Sequence, residues 1–238
     1  MEPYTFEDVG HVVFTVSTYV QGAGLNVSVD VGGQVTRGPA AADGTVGRVA
    51  FNVSRLTPGY LAVAKVILEG AAGYPQGIVR LVNITRLPFK ANQVVIDRQA
   101  RALLVNGAPF VANGWLANGA EGFNALVAHV DQLAVMGFNT IMPYHFQTWA
   151  DDDQITFLDA CASVGIFVQV SFLNSVSALR NNNDTSQWDV MKALIEAVAD
   201  HPALLGYYIS DDTVGGPIDL YADVYAFVKK ADPVRCCV

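Results

Sequence analysis

The strongest constraint on this fold is a change in hydrophobic periodicity near residue 94. Before it, segments such as residues 25–31 alternate apolar and polar side chains, as half-buried strands do. After it, stretches of helical length with apolar residues three and four apart alternate with short apolar strands. The chain is therefore predicted to form two domains, an all-β domain over residues 1–90 and an α/β domain over residues 91–238.

The first half contains several short strands and no helical segment. Turn-forming Gly and Pro residues separate the strands, which is typical of an antiparallel β-sandwich. This half has no cluster of His, Cys or carboxylate residues, so we expect it to be structural or to present a ligand. The predicted strands cover residues 11–20, 25–31, 46–53, 60–68 and 78–86.

The second half is expected to begin with a short hairpin over residues 94–105, followed by a strand over residues 110–115. Strands and helices then alternate, which predicts parallel strands joined by right-handed crossovers. Two architectures fit, the first half of a (β/α)8 barrel or an open flavodoxin-like sheet, and we expect the barrel. The predicted helices cover residues 123–136, 153–164, 187–200 and 218–230, and the later strands residues 138–143, 166–172 and 204–210.

Composition excludes several classes of protein. Charged residues make up 15% of the chain and hydrophobic residues 52%, which is incompatible with intrinsic disorder. The net charge is −8 and Lys and Arg form no run, so nucleic acid is not expected as a partner. The longest uncharged stretch, residues 160–179, has too many polar groups to span a membrane. No Gly-rich loop and no His pair at metal-ligand spacing occurs, so neither a cofactor nor a metal is predicted.

The cellular compartment is left open by the sequence. Residues 1–8 show no basic segment leading into an apolar one, so no secretory leader is predicted. Three cysteines cannot build a disulfide framework, and Cys161 is expected in the core. Four N-glycosylation sequons nevertheless suggest an extracellular or secretory origin, at Asn26, Asn52, Asn83 and Asn183.

Aromatic and polar residues follow the predicted parallel strands. Because sites in such folds lie beyond the carboxyl ends of the strands, these side chains are candidates for one site. Aromatic rings with amide, imidazole and carboxylate groups suit a sugar, whose faces are apolar and whose hydroxyls need fixed partners. The candidates are Trp115 after the first strand, Tyr144 and His145 after the second, Asn174 after the third, and Asp211 and Asp212 after the fourth.

Only one carboxylate of the Asp211–Asp212 pair is expected to face the site, and Asp212 is the candidate general acid. An alternative remains, in which the pair caps the helix that begins near Pro217. His145 likewise has the alternative of a loop histidine bonded to backbone.

Three segments resemble glycoside hydrolases of clan A, particularly those related to family 2. They are residues 94–115 (VVIDRQARALLVNGAPFVANGW), residues 133–144 (LAVMGFNTIMPY) and residues 201–211 (HPALLGYYISD). The resemblance covers roughly residues 94–233. It implies the catalytic (β/α)8 barrel of those enzymes, preceded by an accessory β-sandwich of immunoglobulin-like or galactose-binding-like type.

The resemblance also implies an activity, hydrolysis of O-glycosidic bonds with retention, and a carbohydrate or glycoside ligand. Relatives carry Asp-Glu-Pro after the fourth strand, with the Glu as acid/base. Asp212 stands in that position here, beside Asp211. The residues expected to contact the substrate are Asn113, Trp115, Tyr144, His145 and Asn174.

Two departures from the family pattern lower the expected activity. Asp212 is shorter than Glu by one methylene, and misplacement by about 1 Å can cost on the order of 10²-fold in rate. Retaining enzymes also need a second carboxyl roughly 5–5.5 Å away, which the relatives carry on strand seven, and the given sequence stops after the fourth strand and helix unit. We therefore expect little or no hydrolysis, with a non-catalytic carbohydrate-binding or interaction module as the alternative. Uncovered barrel edges would favour self-association.

Overall fold

A computed structural model describes residues 4–5, 9–17, 19–44, 46–58, 61–87, 90, 93–97, 101–117, 122–211 and 217–237. The chain divides into two compact units, Met1–Phe89 and Lys90–Val238. This division falls at the change in periodicity.

The first unit has two β-sheets that share one core. The sheets pair antiparallel except for a short parallel contact between β1 and β7. Buried Val29, Ala64 and Ile84 of the larger sheet and Val49 and Phe51 of the smaller one belong to a single cluster. The larger sheet has the order β1-β7-β6-β3-β4, with β1 Tyr4–Thr5, β3 Gly22–Val31, β4 Gln34–Pro39, β6 Leu61–Ala71 and β7 Ile78–Arg86; the smaller pairs β2 Val9–Thr15 with β5 Val46–Asn52.

The second unit begins with a three-stranded antiparallel sheet of β8 Val94–Asp97, β9 Ala102–Val105 and β10 Ala108–Phe110. The β9–β10 turn is formed by Asn106 and Gly107, whose φ values are 51° and 78°. Two left-handed residues in succession are what a tight hairpin requires, so Asn-Gly marks this turn correctly.

A five-stranded parallel sheet and five α-helices form the rest of the second unit. The sheet order is β11-β12-β13-β14-β15, and every neighbouring pair is parallel. This confirms the α/β class with a parallel sheet. The strands are β11 Gly114–Ala117, β12 Thr140–Pro143, β13 Phe167–Ser171, β14 Leu204–Tyr208 and β15 Cys236–Cys237; the helices are α1 Phe123–Val135, α2 Asp151–Ser163, α3 Leu173–Asn182, α4 Gln187–Val198 and α5 Ile218–Ala231.

The two faces of this parallel sheet are covered differently. Val168, Val170 and Tyr207 belong to the large core that includes Leu126 of α1 and Ile195 of α4. On the opposite face, Leu205 packs with Val94 and Val105, and Phe167 packs edge-on against Phe110 at 5.2 Å between ring centroids.

A β-bulge in β14 sets which side chains face which side. Val168 is paired with Leu204 and Gln169 with Gly206, so Leu205 is an extra residue. Beyond it, Tyr207 is fully buried, is stacked on Phe172 with ring planes 8° apart, and donates a hydrogen bond to Oδ2 of Asp232 at 2.9 Å. Because side chains alternate along a strand, Tyr208 faces the opposite side.

Three sequence predictions for the second unit need correction. Trp115 lies inside β11 and does not follow the first parallel strand, because the run over residues 110–115 is divided between β10 and β11. Helix α3 occupies residues that were expected to form a loop. The backbone of Cys236–Cys237 adds a fifth parallel strand. Within the described residues β11 pairs only with β12 and β15 only with β14, and self-association through these edges stays a prediction.

Candidate functional site at the carboxyl edge of the parallel sheet

The carboxyl ends of β11, β12, β13 and β14 lie along one edge of the parallel sheet. The backbone N–H of Tyr144, directly after β12, donates to the carbonyl oxygen of Ala117 at 2.9 Å, and that of Phe172, directly after β13, donates to Tyr208 at 2.8 Å. The residues that follow these strands are therefore held at a common edge by backbone hydrogen bonds.

Tyr144 and Asp211 meet at this edge. The Tyr144 hydroxyl donates a hydrogen bond to Oδ2 of Asp211, and the Tyr144 ring packs edge-on against Tyr208 at 6.2 Å between centroids. The two residues follow β12 and β14, which are separated by β13, so the ends of their strands are roughly 10 Å apart in the sheet. Their contact therefore spans the end of β13 on the face that carries Tyr208.

Asp211 is half-buried, and its described hydrogen bond is the one from Tyr144. Asp212 lies outside the described residues. Helix α5 begins after Pro217 and shows no side-chain hydrogen bond at its amino end within the described part of the chain. The alternative in which Asp211 caps this helix is therefore wrong, since its carboxylate is bonded to Tyr144.

His145 and Asn174 are exposed beside Tyr144 and after β13, respectively. The carbonyl oxygen of His145 accepts hydrogen bonds from the backbone N–H of Thr148 at 2.9 Å and from its hydroxyl at 2.8 Å. The backbone of His145 is thus fixed, whereas neither its imidazole nor the Asn174 amide has a hydrogen bond to another described residue. Both side chains can contact a ligand.

An aromatic cluster holds the segment after β12 in place. Trp149 packs against Phe123 of α1, against Phe157 of α2 and against Phe146, with centroid distances between 5.2 and 5.7 Å. The Gln154 amide donates to the carbonyl oxygens of Phe146 and Trp149 at 3.3 and 3.1 Å. The sequence analysis missed this support, although three aromatic residues so close to a strand end were a usable signal.

A buried polar chain connects the same segment to α3 and α4. The Ser175 hydroxyl accepts a hydrogen bond from the Gln147 amide at 2.9 Å and donates to Oε1 of Gln187 at 2.8 Å. Gln187 in turn donates to Asp184, and hydrogen bonds from Ser186 and Gln187 lower the pKa of the Asp184 carboxyl. No spacing pattern could have identified these residues, because Gln147 and Ser175 are 28 positions apart.

Asn113 and Trp115 are not brought to this edge. Asn113 precedes β11, at the amino ends of the strands, where its amide donates to the carbonyl oxygen of Gly137 at 2.9 Å and its backbone N–H donates to Oδ1 of Asn139 at 2.8 Å. Trp115 packs edge-on against Phe138 at 5.7 Å. It is paired with Ile141, a member of the helix-side core, so it faces away from the side of Tyr208.

The described residues contain no group of three or more His, Cys, Asp or Glu side chains arranged to hold a metal ion. Among the same residues, no helix is long and apolar enough to cross a membrane. The edge therefore offers aromatic, carboxylate, imidazole and amide groups.

No protein-family model and no curated protein matches the chain. Solved structures do. A family 2 β-galacturonidase from Eisenbergiella tayi, bound to galacturonate, is 17% identical over 100% of this chain and 46% of its own, with a TM-score of 0.47. A family 5 glycoside hydrolase from Bacteroides vulgatus is 13% identical over 63% of this chain and 40% of its own, with a TM-score of 0.49. A third structure, described only as a glycoside hydrolase, is 15% identical over 63% of this chain and 41% of its own, with a TM-score of 0.50.

The chain spans less than half the length of each of these three proteins. At such low identities the likeness concerns the course of the backbone and not the chemistry of individual residues. The match with a TM-score of 0.50 shows that the chain has a fold found in glycoside hydrolases.

Proposed function

We propose that the carboxyl edge of the parallel sheet is a glycoside site of the glycoside hydrolase type, within the first half of a (β/α)8 barrel. Asp212 is in the position of the general acid/base, with Asp211 beside it. Tyr144, His145 and Asn174 contact the sugar, and Tyr208 joins them. The observation that carries this proposal is the hydrogen bond from Tyr144 to Asp211 across the end of β13.

That bond prepares Asp211 to bind a sugar hydroxyl. One carboxylate oxygen accepts the Tyr144 hydroxyl, and Oδ1 has no hydrogen bond to the described residues, so it can accept from a ligand. A hydrogen bond to an ionised acceptor is roughly twice as strong as one between neutral groups. The edge-on pair of Tyr144 and Tyr208 offers an apolar surface beside this acceptor, which suits the C–H face of a pyranose.

The reaction assigned to the site is protonation of a glycosidic oxygen by Asp212, with retention completed by a second carboxylate. Asp is shorter than the Glu that family members carry at this position. A displacement of about 1 Å can cost on the order of 10²-fold, so we expect binding to exceed turnover. The ligand is a carbohydrate or a related glycoside.

The test uses a panel of aryl glycosides with the purified full chain. We expect slow release of the phenol, abolished by Asp212→Asn and raised on the order of 10²-fold by Asp212→Glu, which restores the missing methylene. Asp219→Asn, an exposed carboxylate in the first turn of α5, is the control and should change nothing. Turnover that survives Asp212→Asn would remove Asp212 from the acid/base position.

The second candidate is a carbohydrate-binding module without hydrolysis. The exposed His145 and Asn174 side chains favour it, because both can serve recognition without any catalytic carboxylate. Calorimetric titration with free sugars and glycosides separates the two functions. Affinity that is lost in Tyr144→Phe, together with no product from any glycoside in the panel, would establish the module.

A further inference from the structure

The larger sheet of the first unit carries an exposed apolar strip on its outer face. Leu61, Val63, Val79 and Leu81 of β6 and β7 are between 44 and 69% exposed. Contiguous apolar surface of this kind on a soluble protein marks a surface that something covers. The core-facing side chains of the same strands, Ala64 and Ile84, are buried, so the strip is a separate outer face.

Asn83 lies within this strip. It is paired with Val63 across the sheet, and it shares the outer face with Leu81 because the two are separated by one residue. The side chain of Asn83 is exposed and has no hydrogen bond to another described residue. Asn83, Ile84 and Thr85 form an N-glycosylation sequon.

We propose that Asn83 carries an N-linked glycan that covers the apolar strip. A lipid-linked oligosaccharide diphosphate is the donor: the bond from the anomeric carbon of the sugar to the Asn83 Nδ2 forms and the bond from that carbon to the diphosphate oxygen breaks. The lipid diphosphate leaves, and the amide nitrogen loses one proton. The apolar faces of the first sugar rings lie over Leu81 and Val63, and their hydroxyls face water.

The sequon at Asn26 provides the contrast. The Asn26 amide donates to the carbonyl oxygen of Gly24 at 2.8 Å, so its nitrogen is directed at the backbone. The hydroxyl-bearing residue of that sequon, Ser28, is 2% exposed and is bonded to Glu69 at 3.0 Å. A glycan at Asn26 would disrupt these bonds, whereas one at Asn83 would disrupt none that the structure describes.

The test is expression of the full chain behind a secretion signal in eukaryotic cells, followed by peptide mass spectrometry before and after an amide-cleaving glycosidase. We expect a glycan on the Asn83 peptide, lost in Asn83→Gln and in Thr85→Val, and none on the Asn26 peptide. Enzymatic removal of the glycan from the folded wild-type chain should raise binding of an apolar fluorescent dye, and Leu81→Ser should reduce that increase.

An unmodified Asn83 peptide in the secreted, folded chain would overturn the proposal. Dye binding that does not change when the glycan is removed would overturn the covering role. Enzymatic removal needs no mutation, so a variant that fails to fold leaves the test intact.

Discussion

The hydroxyl of Tyr144 donates a hydrogen bond to Oδ2 of Asp211, which joins the residues that follow β12 and β14. The intervening strand, β13, ends beneath this bond. Two side chains 67 positions apart in the sequence thereby define one face of the candidate site.

Tyr144→Phe should weaken glycoside binding by on the order of tenfold, which corresponds to about 1.4 kcal/mol. The ring and its contact with Tyr208 remain, so the loss reports the hydroxyl that orients Asp211. Calorimetric titration measures it. Tyr74→Phe, at an exposed tyrosine of the first unit, is the control, and equal losses in the two variants would contradict the assigned role.

Ser175→Ala should lower the free energy of unfolding by about 1–3 kcal/mol, because Gln147 and Gln187 would lose a buried partner. Urea denaturation followed by circular dichroism measures the change. Ser177→Ala, on the same helix, has no described hydrogen bond from its hydroxyl and should change stability by a few tenths of that amount. A Ser175→Ala variant as stable as Ser177→Ala would show that the polar chain contributes nothing net.

Asn113→Ala should leave glycoside affinity unchanged while lowering stability by about 1 kcal/mol, since its amide bonds Gly137 at the amino ends of the strands. Titration and denaturation of the same sample separate the two effects. Loss of affinity without loss of stability would return Asn113 to the substrate side, as the sequence alone had indicated.

Cys161 should resist alkylation in the folded chain. Burial raises the pKa of its thiol from an ordinary 9.0 to about 12, so at pH 8 the thiolate fraction is on the order of 10⁻⁴. Iodoacetamide should label the Cys161 peptide only after denaturation, as read by mass spectrometry. Because the unfolded thiol ionises first, stability should fall as pH rises from about 9 toward 12. Labelling of Cys161 in the native chain at the rate of the denatured chain would contradict this.

Periodicity predicted the helices of the second unit to within a few residues, because their apolar stripes repeat at the helical spacing. Helix α3 was missed for a physical reason. Its sequence is rich in Asn and Ser, which favour turns over helix interiors, so local propensity argued against it. Burial of Val176 and Leu179 and the Ser175 hydrogen bonds, all tertiary, stabilise it.

The candidate site was predictable where it depended on the common edge of parallel strands, as for Tyr144 and Asp211. It was not predictable where one residue of strand boundary mattered. Trp115 was expected after a strand and lies inside one, so its ring faces the helices. Faces of a sheet exchange with each single residue, which is finer than sequence-based boundaries resolve.

The extra residue in β14 acts as a phase selector for everything downstream of it. Without Leu205, Tyr207 and Tyr208 would exchange sides, and the ring that now stacks on Phe172 would stand beside Tyr144. The acidic doublet would rotate with them. A one-codon deletion far from any ligand could thus change which aspartate meets a sugar while leaving every side chain of the site in place in the sequence.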